Sequence, residues 1–218
     1  MNNQKLGRLV GILFLLVFIL GFFGSQYRGL SISSLSAPDF LEKITSQALW
    51  MKTAIFSDLA ATLLGVIIAS LLYPLVGTWS KYLARIYFGL WLVQLALATV
   101  GNVGQFILIE VAERYLTVDT SQNTHLESLA FLLIEIYYFA HWMTLLFFCV
   151  SGAVLYAFLI KSNLVPRLIA LWGLLAVVLV FTATVLQIFN VEVSFFFYLQ
   201  NGIFLLVFAI WLIIKGFK

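Results

Sequence analysis

Six long apolar runs constrain this chain more than any other feature. They cover approximately residues 6–24, 53–76, 84–109, 128–160, 168–189 and 195–214. A helix needs about 20 apolar residues to cross the hydrocarbon core of a bilayer, and every run is close to that length or longer. Inside lipid, a chain satisfies its backbone hydrogen bonds only as helices or closed barrels. The sequence therefore predicts an all-α bundle of six transmembrane helices.

The composition supports one membrane-embedded domain over residues 1–218. Of the 218 residues, 63% are hydrophobic and only 10% are charged, which is too little polar surface for a soluble domain. There are three prolines and no low-complexity tract that would indicate a linker. The first run is preceded by Lys5 and Arg8 but lacks a small-residue cleavage pattern near its end, so we expect it to remain as a span rather than be removed as a signal peptide.

Charge is distributed unequally between the two sides of the predicted bundle. The two termini and the connections after the second and fourth spans hold eight of the twelve basic residues and none of the nine acidic ones. Because short cytoplasmic loops are enriched in Lys and Arg, this pattern predicts that both termini are cytoplasmic. The net charge of +3 is thus explained by topology. The predicted partner is the lipid bilayer, and no nucleic-acid partner is predicted.

Two connections on the other side are longer. In residues 36–50, a Ser-Ala-Pro-Asp start is followed by apolar residues at helical spacing, namely Phe40, Leu41, Ile44, Ala48 and Leu49. This pattern predicts either a short helix on the outer surface or an N-terminal extension of the second span. Between residues 110 and 127, the polar stretch 119–124 predicts an exposed turn.

Two carboxylates lie inside the predicted spans. At about 1.5 Å per helical residue, Asp58 is about 9 Å and Glu135 about 12 Å below the outer boundary. Ionisable groups at such depth usually face the bundle interior or a polar cavity. Amide and aromatic side chains share this layer, and the sequence predicts an outward-facing polar pocket. Its candidate ligand-binding residues are Asp58, Asn102, Gln105, Glu135, Tyr138, His141, Gln200 and Asn201.

This layer is compatible with several functions. Its residues could clamp helices together, since interhelical hydrogen bonds stabilise bundles, or belong to a membrane subunit that binds a partner. They could bind or move a small or lipid-like ligand, with Glu135, Tyr138 and His141 passing protons. A metal-dependent hydrolase using Asp58, Glu135 and His141 is a further alternative, although no H-E-x-x-H or G-x-S-x-G motif is present. We predict ligand binding without catalytic residues, metal or cofactor.

Two stretches near the predicted cytoplasmic side resemble a known family. They are residues 156–175, with Pro166-Arg167 at their centre, and residues 210–217, which read Ile-Trp-Leu-Ile-Ile-Lys-Gly-Phe. They are similar to bacterial membrane proteins grouped as domain of unknown function 4386, which carry an "LPR" turn between the fourth and fifth spans and a "WLIxKGF" end. The resemblance implies a six-span protein of the bacterial inner membrane, and it implies no activity. Oligomeric state stays open.

Overall fold

A computed structural model of the chain describes residues 2–32, 39–118 and 123–218, with side chains in the first range as far as Tyr27. These ranges form seven helices and no strand. The helices are α1 (Asn3–Ile32), α2 (Phe40–Ser46), α3 (Ala48–Trp79), α4 (Lys81–Tyr115), α5 (Asn123–Ser162), α6 (Arg167–Ile188) and α7 (Phe196–Lys215). All except α2 are long and apolar enough to cross a membrane, which confirms the all-α fold with six spans.

The six long helices form a closed ring. Each packs against the next long helix in the chain, and α1 closes the ring by packing against α7. The termini, the α3–α4 connection and the α5–α6 connection therefore lie at one end, which we call the basic end. The helix α2, the α4–α5 connection and the α6–α7 connection lie at the other, the acidic end. The chain is a multi-pass membrane protein.

The half of the ring near the basic end is filled by a large apolar core. Its centre contains a cluster of aromatic rings: Tyr156 lies 5.2 Å and Phe208 5.6 Å from Phe204, measured between ring centroids. Small residues let the helices approach. A side chain at Gly65 would collide with the ring of Trp91, so this glycine lets α3 pack closely against α4.

The basic end is closed by the C-terminus. A Cβ on Gly7 would collide with the backbone of Gly216 and Phe217, so this glycine lets the start of α1 contact the end of the chain. Gly216 has a φ of 71°, a left-handed conformation that turns the chain back into the bundle. Phe217 is consequently 2% exposed, and the Lys218 N–H donates to the Leu164 carbonyl at 3.1 Å.

The segment 36–50 combines both predicted arrangements. Residues 40–46 form the separate helix α2, which packs on α4 through buried Leu41 and Ile44, whereas residues 48–50 begin α3. The break at Gln47 changes the helical phase, so the prediction that Leu49 shares the apolar face is wrong, and this side chain is 75% exposed. The predicted start at residues 36–38 lies outside the described residues.

A short ion pair stabilises the first turn of α2. The Lys43 ammonium lies 3.0 Å from the Asp39 carboxylate, and hydrogen bonding to Lys43 lowers the pKa of Asp39. Both side chains are exposed, so the effect on stability is small.

The helices also extend farther toward the acidic end than the predicted spans. Helix α4 continues to Tyr115 and α5 already begins at Asn123, so residues 110–115 and 123–127 are helical rather than loop. Of the predicted turn, residues 119–122 lie outside the described residues.

Candidate functional site

Asp58 and Asn102 meet directly between α3 and α4. The Asn102 side-chain amide donates to Asp58 Oδ2 at 2.8 Å, and Asn102 is 2% exposed. Helix α1 approaches the same point at Gly24, where a Cβ would lie 3.3 Å from the Ala54 carbonyl oxygen and 3.8 Å from the Asp58 Cβ. One turn along α1, the Ser57 hydroxyl donates to the Leu20 carbonyl at 2.9 Å. Three spans are thus joined around the Asp58 carboxylate.

Two glycines determine which part of α5 faces this pair. A Cβ on Gly101 would lie 3.3 Å from Ala140 and 3.5 Å from the Tyr137 ring, and one on Gly104 would lie 3.6 Å from the Leu133 carbonyl. Leu133, Tyr137 and Ala140 follow helical spacing and form the face of α5 that contacts α4. Asn102 is therefore level with residues 137–140.

Glu135 lies away from the Asp58–Asn102 pair. It is two residues from Leu133 and two from Tyr137, hence about 160–200° around the helix from the face that contacts α4. Along the helix axis it is about 3 Å nearer the acidic end than Tyr137. Helical geometry therefore places Glu135 on a different face of α5 from the residues that contact α4 beside Asn102.

His141 and Tyr138 contact different aromatic partners. The His141 ring stacks on Tyr137, with 6.0 Å between centroids and an interplanar angle of 21°, whereas Tyr138 stacks on Trp142. His141 is exposed. Sequence reasoning missed Tyr137, which stacks on His141 and lies against Gly101, the neighbour of Asn102 in the chain. The i, i+4 spacing of Tyr137 and His141 was the available signal.

Two buried glutamines on α4 differ in their hydrogen bonding. Gln94 donates from its side-chain amide to the Leu90 carbonyl at 3.2 Å and to the Ser151 hydroxyl at 3.3 Å, which joins α4 to α5. Gln105 is 0% exposed, and neither its oxygen nor its nitrogen has a hydrogen-bond partner. Buried polar groups without partners are rare in native structures and are frequently associated with function.

The two candidate residues on α7 also differ. Gln200 donates to the Ala176 carbonyl on α6 and to Phe197 on its own helix, both at 3.1 Å, so it clamps α6 to α7. The Asn201 side-chain oxygen is buried and has no partner. A Cβ at the neighbouring Gly202 would lie 3.8 Å from the Phe18 ring, which places Asn201 level with the middle of α1.

A central cavity opens inside the ring where the apolar core ends. Its volume is about 310 Å³. One wall is the face of α1 from Phe14 to Ser25, and the others are Trp91 of α4, Phe148 of α5 and Leu205 of α7. A Cβ on Gly21 would contact nothing within 4 Å, so this glycine faces open space. The cavity wall is almost entirely apolar.

Polar candidates lie on the same helix faces as the cavity wall, nearer the acidic end. By helical spacing, Asn201 is one turn from Leu205, and His141 is two turns from Phe148, about 10 Å away. Asn102 is three turns from Trp91, about 16 Å away. The arrangement is an apolar cavity between the spans with polar groups between it and the acidic end. Such a combination of apolar walls and a few polar groups is typical of small-molecule sites.

The arrangement does not match the metal site considered above. Among the described residues, no group of three His, Cys, Asp or Glu side chains is close enough to hold a metal ion. Asp58, Glu135 and His141 all belong to the described ranges, and they do not converge.

The comparison with protein families identifies the chain's relatives. The family described as domain of unknown function (DUF4386) matches residues 9–216. The chain belongs to this family. The match includes nearly all of the six long helices and the residues that line the central cavity, and it confirms the resemblance carried by the two basic-end stretches. No curated protein and no solved structure matches the chain.

Proposed function

We propose that this member of the DUF4386 family binds a small amphipathic molecule that enters from the acidic end. The apolar part of the ligand occupies the central cavity, and its polar head lies among Asp58, Asn102, His141 and Asn201. The protein resides in a bacterial cytoplasmic membrane with the basic end in the cytoplasm, so the site opens outward. The distribution of Lys and Arg supports this orientation.

The central cavity is the observation that carries the proposal. Its volume of about 310 Å³ is at the lower end of the range for ligand sites, roughly 300–1,000 Å³. The cavity is partly open, which gives a ligand a way in, and its lining is almost entirely apolar. In this chain, an open glycine at position 21 maintains the space.

The partnerless side-chain oxygen of Asn201 indicates the chemistry of the head group. A buried carbonyl oxygen without a hydrogen bond costs about 1–3 kcal/mol. A ligand that donates a hydrogen bond would recover this free energy. We therefore expect an aliphatic alcohol or amine to bind better than an alkane of equal length.

A second candidate function is structural. The Gln94–Ser151 and Gln200–Ala176 hydrogen bonds join neighbouring spans, and so does the Asp58–Asn102 bond. Interhelical hydrogen bonds of this kind contribute about 0.6–2 kcal/mol each. In this alternative the polar layer only fixes the helix register, and the central cavity stays empty.

Quenching of tryptophan fluorescence in nanodiscs separates the two candidates. A bromine-tagged decanol should quench Trp91 when it occupies the central cavity, and replacing Trp91 with Phe should remove this signal. Gly21→Leu should fill the cavity without collision and abolish saturable quenching. Gly89→Leu is the matched control, because Gly89 also faces open space but lies on the outer surface of the ring.

Two charge-removing variants complete the test. Asp58→Asn should weaken binding of the alcohol while leaving the bundle assembled, whereas Glu135→Gln should have a smaller effect because Glu135 faces away from Asn102. If the Gly21→Leu and Gly89→Leu proteins quench equally, the ligand proposal is wrong. If Asp58→Asn lowers only the melting temperature, the structural candidate is favoured.

The orientation has its own test. In a Cys149→Ser background, a cysteine at exposed Ser194 should react with a membrane-impermeant maleimide in intact cells. A cysteine at exposed Asn163 should react only after permeabilisation. The reverse pattern would contradict the proposed topology.

A further inference from the structure

A groove on the outer surface of the ring lies between α3 and α4, near the basic end. It has two compartments, of about 410 Å³ and about 390 Å³, and both are lined by Tyr73 and Arg85. We refer to the two together as the α3–α4 groove. We propose that this groove binds one phospholipid with a negatively charged headgroup.

A proline on α3 and a glycine on α4 help to create the groove. Pro74 lies inside α3, where it has no N–H to donate to the Ser70 carbonyl, and both residues line the groove. On α4, a Cβ at Gly89 would contact nothing within 4 Å. The floor is aromatic, since the Tyr73 and Phe88 rings pack edge to face at 6.1 Å. The groove is thus a slot on a surface that otherwise presents side chains to lipid.

The lining of the two compartments changes along the groove in the way that binding of a phospholipid requires. The compartment nearest the basic end is lined by Thr78, Lys81 and Arg85, which provide two positive charges and a hydroxyl. The other compartment shares Tyr73 and Arg85 and is otherwise lined by Ser70, Phe88 and Gly89. Phe88 and Gly89 lie one to two helical turns farther into the membrane than Lys81. A phospholipid bound here would have its phosphate at the membrane surface and one acyl chain along the slot.

Charge complementarity favours a negatively charged headgroup. All nine acidic residues of the chain lie outside the four basic-end segments. In the described structure, neither Lys81 nor Arg85 forms an ion pair, and the Arg85 guanidinium lies 5.8 Å from the Tyr82 ring. Basic pockets between transmembrane helices are a recognised way of binding anionic lipid headgroups.

Native mass spectrometry of the purified full chain tests the proposal. We expect one retained phosphatidylglycerol molecule and no comparable retention of phosphatidylcholine. The double variant Lys81→Gln/Arg85→Gln should lower the affinity for phosphatidylglycerol about 30-fold, which corresponds to two contacts of about 1 kcal/mol each. Lys161→Gln/Arg167→Gln is the matched control, since it removes the same charge from the same end but away from the groove.

A substitution that fills the slot provides a second, independent test of the proposal. Gly89→Leu changes no charge and should lower phosphatidylglycerol retention, whereas Gly21→Leu, inside the ring, should not. An equal loss of phosphatidylglycerol affinity in the two charge variants would show that basic residues attract the lipid regardless of their position. That result would overturn the proposal. Unchanged retention in Gly89→Leu would overturn the acyl slot. Displacement of the lipid by millimolar inorganic phosphate would indicate a site for free phosphate instead. Circular dichroism and size exclusion establish that each variant is folded.

Discussion

The two buried glutamines of α4 provide a sharp test of how polar groups act in this bundle. Both lie on the same face of the same helix, and their side chains are 2% and 0% exposed. Gln94 makes two hydrogen bonds, whereas Gln105 makes none. Replacing each with methionine keeps an unbranched side chain of similar length and removes the amide. We expect the two substitutions to change stability in opposite directions.

The magnitudes follow from the hydrogen bonds. An unsatisfied buried group costs about 1–3 kcal/mol, so Gln105→Met should raise the free energy of unfolding by about that amount. For a domain of this size, about 2–4 °C in melting temperature corresponds to 1 kcal/mol, which gives a rise of about 2–12 °C. Gln94→Met loses an interhelical hydrogen bond worth about 0.6–1.7 kcal/mol, so its melting temperature should fall by about 1–7 °C.

The assay is thermal unfolding of both variants in the same detergent. Unfolding is monitored by circular dichroism and by the onset of aggregation. The comparison is internal, because any effect of detergent on a buried Met applies to both positions. A Gln105→Met protein that melts below the parent would refute the reasoning, since its amide must then have a partner in the purified protein. If Gln105→Met melts higher but loses decanol binding, the amide is retained for function at a cost in stability.

The remaining predictions concern packing. Gly65→Leu should destabilise the bundle by about 1–3 kcal/mol or more, because its side chain would collide with Trp91, whereas Gly21→Leu should leave the melting temperature nearly unchanged. Phe217→Ala should cost about 3–5 kcal/mol, because this ring is 2% exposed at the closed basic end. The control Phe195→Ala, at a position 70% exposed, should cost far less. Detergent melting curves check both pairs, and equal losses within a pair would contradict the packing described here.

The number and order of the spans were predictable because the length of an apolar run depends on one helix alone. Helix ends were harder to predict. Charged residues were expected to mark the membrane boundary, but Glu110 and Glu113 lie within α4, because a helix tolerates charges on an exposed face beyond the apolar core. The exposure of Leu49 was unpredictable for a related reason: the break at Gln47 shifts the phase without any proline or glycine.

The site could be predicted only in part. Depth along each helix brought Asp58 and Asn102 into one layer, and the structure joins them. Rotation about the helix axis depends on the neighbouring helix, and Gly101 and Gly104 turn the Tyr137 side of α5 toward α4. Glu135 consequently faces away. The central cavity was not predictable either, because it depends on how the side chains of several different helices pack around Gly21.

The positions of the family stretches bear on whether a ligand is held or carried through. Those stretches meet at the basic end, where Phe217 is buried and Lys218 is bonded to Leu164. Between this closure and the central cavity lies the aromatic core around Phe204. Passage through the ring would require both to separate, at the cost of many buried contacts. The arrangement therefore suits reversible binding of the proposed ligand rather than its passage through the basic end.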